Sequence, residues 1–291
     1  MLDTLPTELV VYIIEIVAHE CRFSDRQSVV NLAMCNHTIY DIVAPILYHT
    51  LLVGQNNVDL LSAFVSNAET RPNAERMLSH VRSFHNRCPN QTPFNPRLLI
   101  NVEHVTAWSS SLLRSWTPPK LRSVHLLDTN FLSTLRGLTP DVLRTITHVC
   151  GQLPASSPNS SWDTFFMDPA GWTRSLLERL PAVTHLGMMH ELPSTRDYAR
   201  STPRFDCAAV GTVVRTALQT CPNLQCIAIR TCGIFSATRR MDLEMVLCDV
   251  HDSRVKVWFD MRPMENWDDY RAMGFLDVKE GRNIWTEARP L

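Results

Sequence analysis

From Leu5 onward the apolar positions fall three and four apart. Leu9, Ile13 and Ile16, with Val10 and Val17 beside them, line one side of a helix that opens at Leu5-Pro6-Thr7-Glu8. Proline suits a first helical position, where its missing N–H has no partner to lose, and Glu8 there faces the positive end of the helix dipole. Ser24, followed three residues later by Gln27, reads as a capping box that starts a second helix through Val29, Leu32 and Ala33. A third helix is expected from about Asn36 to Ala44, with Pro45 stopping it and opening a short last turn through Tyr48. Beyond Val53, a helical segment carries Val58, Leu61, Phe64 and Val65 and should end near Arg71-Pro72.

The period then changes. A template of apolar-x-x-apolar-x-apolar or small begins at Leu78-Ser79-His80-Val81. It returns at Val102-Glu103-His104-Val105, Leu121-Arg122-Ser123-Val124, Ile146-Thr147-His148-Val149, Val183-Thr184-His185-Leu186 and Leu224-Gln225-Cys226-Ile227. Copies roughly 20 to 40 residues apart have the spacing of repeat proteins. Each copy predicts a short strand stacked in parallel beside the next, and the chain between must return. Two returns read as helices, one opening at Asp168-Pro169 and one over about residues 206–218. Residues 254–259 alternate like a last strand. Pro- or Ser-rich stretches at 86–97, 151–168 and 191–205 predict surface loops. Trp267, Tyr270 and Trp285 are expected to cover the open end of the sheet.

The expected fold class is α/β: a three-helix front followed by an irregular solenoid with a parallel sheet. An ordinary α/β domain whose strands share a pattern is the alternative. The organisation reads as residues 1–53 for the front module, 54–76 for a helical linker, 77–262 for the repeat region and 263–291 for a capping segment.

The front resembles the F-box family in the form seen in many fungal proteins. Leu5-Pro6-x-Glu8-Leu9-x-x-x-Ile13-Ile14 carries the resemblance, with Leu32-Ala33-Met34-Cys35-Asn36 and Pro45-Ile46-Leu47-Tyr48 at later positions. It covers about the first fifty residues. His37 stands where a basic residue is usual, and the turn over residues 19–25 is longer than in compact members. The resemblance implies docking onto a Skp-type adaptor of a cullin-RING ubiquitin ligase, with Leu5, Pro6, Leu9, Ile13 and Leu32 as contacts. An apolar stripe with a proline-stiffened entry is buried against such a surface at low ordering cost. The body resembles an irregular leucine-rich-repeat array over about residues 75–262, without the asparagine of regular repeats. Together the two imply a substrate-recognition subunit that holds a target protein near the ubiquitin-charged enzyme. The other reading is a repeat-type interaction scaffold with no ligase, its front helices serving only as a cap.

Composition narrows the field. The 291-residue chain has a net charge of −1 with both signs scattered, so no basic field marks it for nucleic acid or an anionic membrane. Nine cysteines without a C-x-x-C spacing read as reduced thiols. With no basic leader and no long apolar run, the expected compartment is the cytoplasm or nucleus. No phosphate-loop, dinucleotide or nucleophile-elbow pattern occurs, so a non-catalytic role with no cofactor and no metal is expected.

The histidines are the remaining chemistry. His80, His104, His148 and His185 hold the same slot in four copies of the template, opposite in parity to the apolar residues beside them. They are candidates for a target-binding row whose charge rises below about pH 6.5. The alternative is a polar slot that simply tolerates histidine. The same parity nominates Trp108, His125 and Arg230, types that serve well in interface cores.

Overall fold

The computed structural model describes residues 5–88, 94–107, 110–126, 135, 137–152, 168–191, 207–232, 237–262, 277 and 280–290. The expected loops at 151–168 and 191–205 lie almost wholly outside these residues and the one at 86–97 in part; Trp108, Trp267 and Tyr270 also lie outside them.

Three helices open the chain: α1 (Thr7–Ser24), α2 (Arg26–Ala33) and α3 (His37–Leu47). They close a small core of their own around Ala18, Val29, Ala33, Val43, Ile46 and Leu47. The boundaries differ from the sequence reading in two places. Ser24 ends α1 instead of capping α2; Asp25 does the capping, accepting from the Ser28 N–H at 3.2 Å. Pro45 lies inside α3, which continues to Leu47. So near the helix end, the missing proline N–H costs a single backbone bond, and buried Ile46 and Leu47 hold the last turn in place. Asn36, expected as the first helical residue, instead caps α3, accepting from the Ile39 N–H at 2.9 Å.

The fold is mixed α/β. Among the described residues one sheet has nine strands in chain order. They are β1 (Thr50–Val53), β2 (Ser83–Asn86), β3 (His104–Ala107), β4 (Ser123–Leu126), β5 (His148–Gln152), β6 (His185–Glu191), β7 (Cys226–Cys232), β8 (Val255–Asp260) and β9 (Arg289–Pro290). Each of the first seven strands pairs in parallel with the next, while β9 runs antiparallel along β8 and covers its edge. A recurring bond sets the stagger: the Arg82 carbonyl accepts from both Glu103 and His104, and the Thr147 carbonyl from both Thr184 and His185.

The register makes alternate rows. Phe84, Val105, Val124, Val149, Leu186, Ile227 and Val255 are successive partners across the sheet, and all are buried. They face the helices that return the chain, including α4 (Val58–Ser66), α5 (Arg71–Ser79) and the helices Pro169–Leu177 and Cys207–Thr220, whose apolar sides complete one continuous core. Each such side chain contributes roughly 1.5–3 kcal/mol by leaving water.

Two expectations change here. Thr50–Val53, read as the tail of the front module, is the first strand of the sheet, and the linker holds two helices, because Pro72 starts α5 and does not end α4. The first template copy is also three residues out of register, since Phe84, not Val81, pairs with Val105. Leu78 and Val81 are three apart because one closes a helix and the other precedes a strand; a helical turn and the template share that spacing.

The register is testable by urea unfolding. Phe84→Ala, which empties a buried site against the Trp116 ring at 5.8 Å, should cost about 3–5 kcal/mol. His80→Ala, outside the strand, should change stability by no more than about 0.5 kcal/mol. The reverse order would refute the pairing.

Candidate functional site

Two surfaces carry the candidate residues. The first is α1. Its Ala18 side packs on the small helical core, and among the described residues the opposite stripe is left exposed. Leu9 is 47 % exposed, Ile13 45 % and Tyr12 60 %, with Leu5, Pro6 and Ile16 also exposed and Met34, 78 % exposed, after α2. Single exposed apolar residues are ordinary; a run of them along one helix marks an interaction surface. Leu32 differs from the other contact candidates. It is half-buried against the small core, so it supports the helix pair as well as reaching the surface.

The second surface is the sheet face turned away from the helices. Its first row runs Thr50, Ser83, His104, Ser123, His148, His185 and Cys226. His104, His148 and His185 therefore stand where the template put them. His80 does not: it follows the end of α5, and Ser83 takes its slot. A second row includes His85, Thr106, His125, Cys150 and Gly187. His85 was missed because the first copy was out of register.

This face is open only in part. Over β5 to β8 it carries a second apolar cluster that includes Cys150, Met189, Ala228, Trp258 and Ile284. Trp285 stands edge-on to His148 and His185, with ring centroids 5.6 and 5.4 Å away. The two imidazoles stack on each other at 4.1 Å. A hydroxyl steadies each ring: Thr147 Oγ1 lies 2.9 Å from Nδ1 of His148, and Thr184 Oγ1 lies 2.9 Å from Nδ1 of His185. Gly187 makes room for the cover, since a Cβ there would come within 3.0 Å of the Trp285 ring. Trp285 thus covers the face and not the sheet's end, which β9 covers.

Arg230 is not a surface anchor. It is 1 % exposed, donates from Nε and Nη2 to Asp260 at 3.2 and 2.6 Å, and pairs through Nη1 with Asp277. Arg262 joins both carboxylates, and the Trp258 ring lies under the Arg230 guanidinium at 3.8 Å. Burial pushes the Asp260 carboxyl up, but hydrogen bonds from Arg262 and Arg230 reverse this and hold it down to about 2. Parity placed Arg230 on the correct face. What parity could not show is that Asp277, far along the chain, folds back over it.

Burial governs the histidines. It pushes His85 and His125 down to about 3 and His148 to about 4, where the nearby His185 adds to the effect. His125 is half-buried by its accessible surface and touches the Met189 sulfur, so it is a partial wall and not a free contact. The imidazoles are thus neutral near pH 7 and offer hydrogen bonds instead of charge. No three His, Cys, Asp or Glu side chains among the described residues converge to hold a metal, and no described helix is long and apolar enough to cross a membrane. The chain matches no protein-family model and no curated protein.

Two predictions follow from this geometry. Arg230→Ala leaves the buried Asp260 and Asp277 to share Arg262 and should cost about 3–5 kcal/mol in urea unfolding; a loss near zero would show that the carboxylates are solvated. For the histidines the unfolded chain binds protons near pH 6.5, while the folded chain does not until much lower pH. Their contribution to stability is therefore complete above about pH 6.5 and declines as pH falls from there toward about 3. The urea midpoint should drop between about pH 7 and about pH 5, less so in His148→Gln; identical slopes for the two proteins would remove His148 as a cause.

Proposed function

We propose that the chain is the substrate-recognition subunit of an SCF-type cullin-RING ubiquitin ligase. In this reading the front helices are an F-box that docks on a Skp-type adaptor, and the sheet body is an irregular leucine-rich-repeat array that holds the target protein. The observation that carries it is the uncovered apolar stripe of α1, with Leu5, Leu9, Tyr12 and Ile13 turned to solvent on a helical unit that has its own core. A cap made only to close the N-terminal end would bury that stripe on the body. Strands laid down in chain order, each of β1 to β7 parallel to the next, support the second half of the reading.

The chain itself performs no chemistry here. It raises the local concentration of the target's lysines at the charged enzyme. Target contacts do not include Arg230, which is committed to two carboxylates.

Co-purification with a Skp-type adaptor tests the proposal. The wild-type chain should capture the adaptor, and Leu9→Asp combined with Pro6→Ala should weaken capture by more than about tenfold, as expected for a charge placed in an apolar contact. Because both residues are exposed, the urea midpoint should barely move. Capture that survives the double change, or no capture by the wild-type chain, leaves the interaction-scaffold reading in its place.

A further inference from the structure

The open half of the sheet face closes into a cavity of about 360 Å³. The floor is made by the outward rows, with His85, His104 and Ser123 among its residues; Arg22 and Phe23, at the end of α1, and the segment 281–285 also line it. Phe23 packs on Gly281, whose φ of +68° and close approach, 3.2 Å from where a Cβ would stand, both favour glycine. A space of this size accepts a small molecule or a single side chain, not a folded partner.

Two polar atoms of the lining have no hydrogen-bond partner among the described residues although they are out of contact with solvent: Nε of Arg22 and Nδ1 of His85. Such orphaned groups are rare in native proteins and call for an explanation. Arg22 is half-buried and lacks a partner for Nε. The described ion pairs do not include it, and its guanidinium lies 4.5 Å from the centre of the Phe23 ring. The other arginines of the lining are matched: Arg230 by Asp260 and Asp277, Arg282 by Glu280 at 3.3 Å. The carboxylate in the lining, Asp277, is itself held by Arg230 and Arg262.

We propose that this cavity binds a small anionic metabolite, with Arg22 supplying the charge and His85, His104 and Ser123 the hydrogen bonds to its oxygens. A phosphomonoester is the class that best suits a planar guanidinium fork beside neutral N–H and O–H donors. The site is separate from the exposed stripe of α1, so it does not depend on adaptor docking.

The test uses the full chain alone, with glucose 6-phosphate and citrate as anionic probes and glucose as the neutral control. Calorimetric titration should show binding of glucose 6-phosphate, and the His85 imidazole signal should shift on its addition, with little response to glucose. Arg22→Gln should weaken binding by about tenfold to a hundredfold, and Arg22→Lys should recover part of that loss. Citrate binding with the same His85 shift extends the class to carboxylates. No response to either anion, an equal response to glucose, or unchanged affinity in Arg22→Gln would overturn the proposal. Adaptor capture, measured separately, is unaffected in either case.

Discussion

Everything in this molecule depends on one alternation. Each short strand sends one residue into a core shared with the returning helices and the next residue to the opposite face. Because the strands stack in parallel and in register, Phe84, Val105, Val124, Val149, Leu186, Ile227 and Val255 become a single buried row. A slip of one residue in any strand would exchange its buried and outward sets. The histidine rows exist because the buried row leaves them no other side to occupy.

The two faces of the sheet then have different histories. The helical face is closed by neighbours near in sequence, strand by strand. The other face is closed over β5 to β8 by residues from the far end of the chain, through the buried Arg230–Asp260–Asp277 group and the Trp285 ring on His148 and His185. Where that cover stops, the end of α1 arrives, and a polar cavity is left between them. The proposed docking helix therefore begins as a free apolar surface and ends as part of the body. That shared helix holds the front module and the sheet in a defined relation, alongside β1, which follows α3 within three residues.

Much of the plan was legible because it is local. The stripe of Leu9 and Ile13, the helix beginning near Asn36, the helices after Asp168 and before Cys221, and five of the six template copies rest on spacings of a few residues. The errors came where one spacing serves two structures. Leu78 and Val81 fit both a helix end and the template, so the first copy was misplaced, His80 was chosen and His85 was not. Pro45 carries a strong local stop signal that the packing of Ile46 and Leu47 outweighs.

The amino-acid order alone determined the alternation, the parallel stacking it implies and the apolar stripe at the front, since each follows from backbone geometry and neighbours in sequence. Only the tertiary structure decided which outward residues stay outward. Arg230 and His104 share a face and a parity, yet one is sealed between two carboxylates and the other is exposed. That difference depends on where residue 277 and the final helical turn come to rest, some 47 residues and more from Arg230 along the chain, and no pattern of short period encodes a contact over that distance.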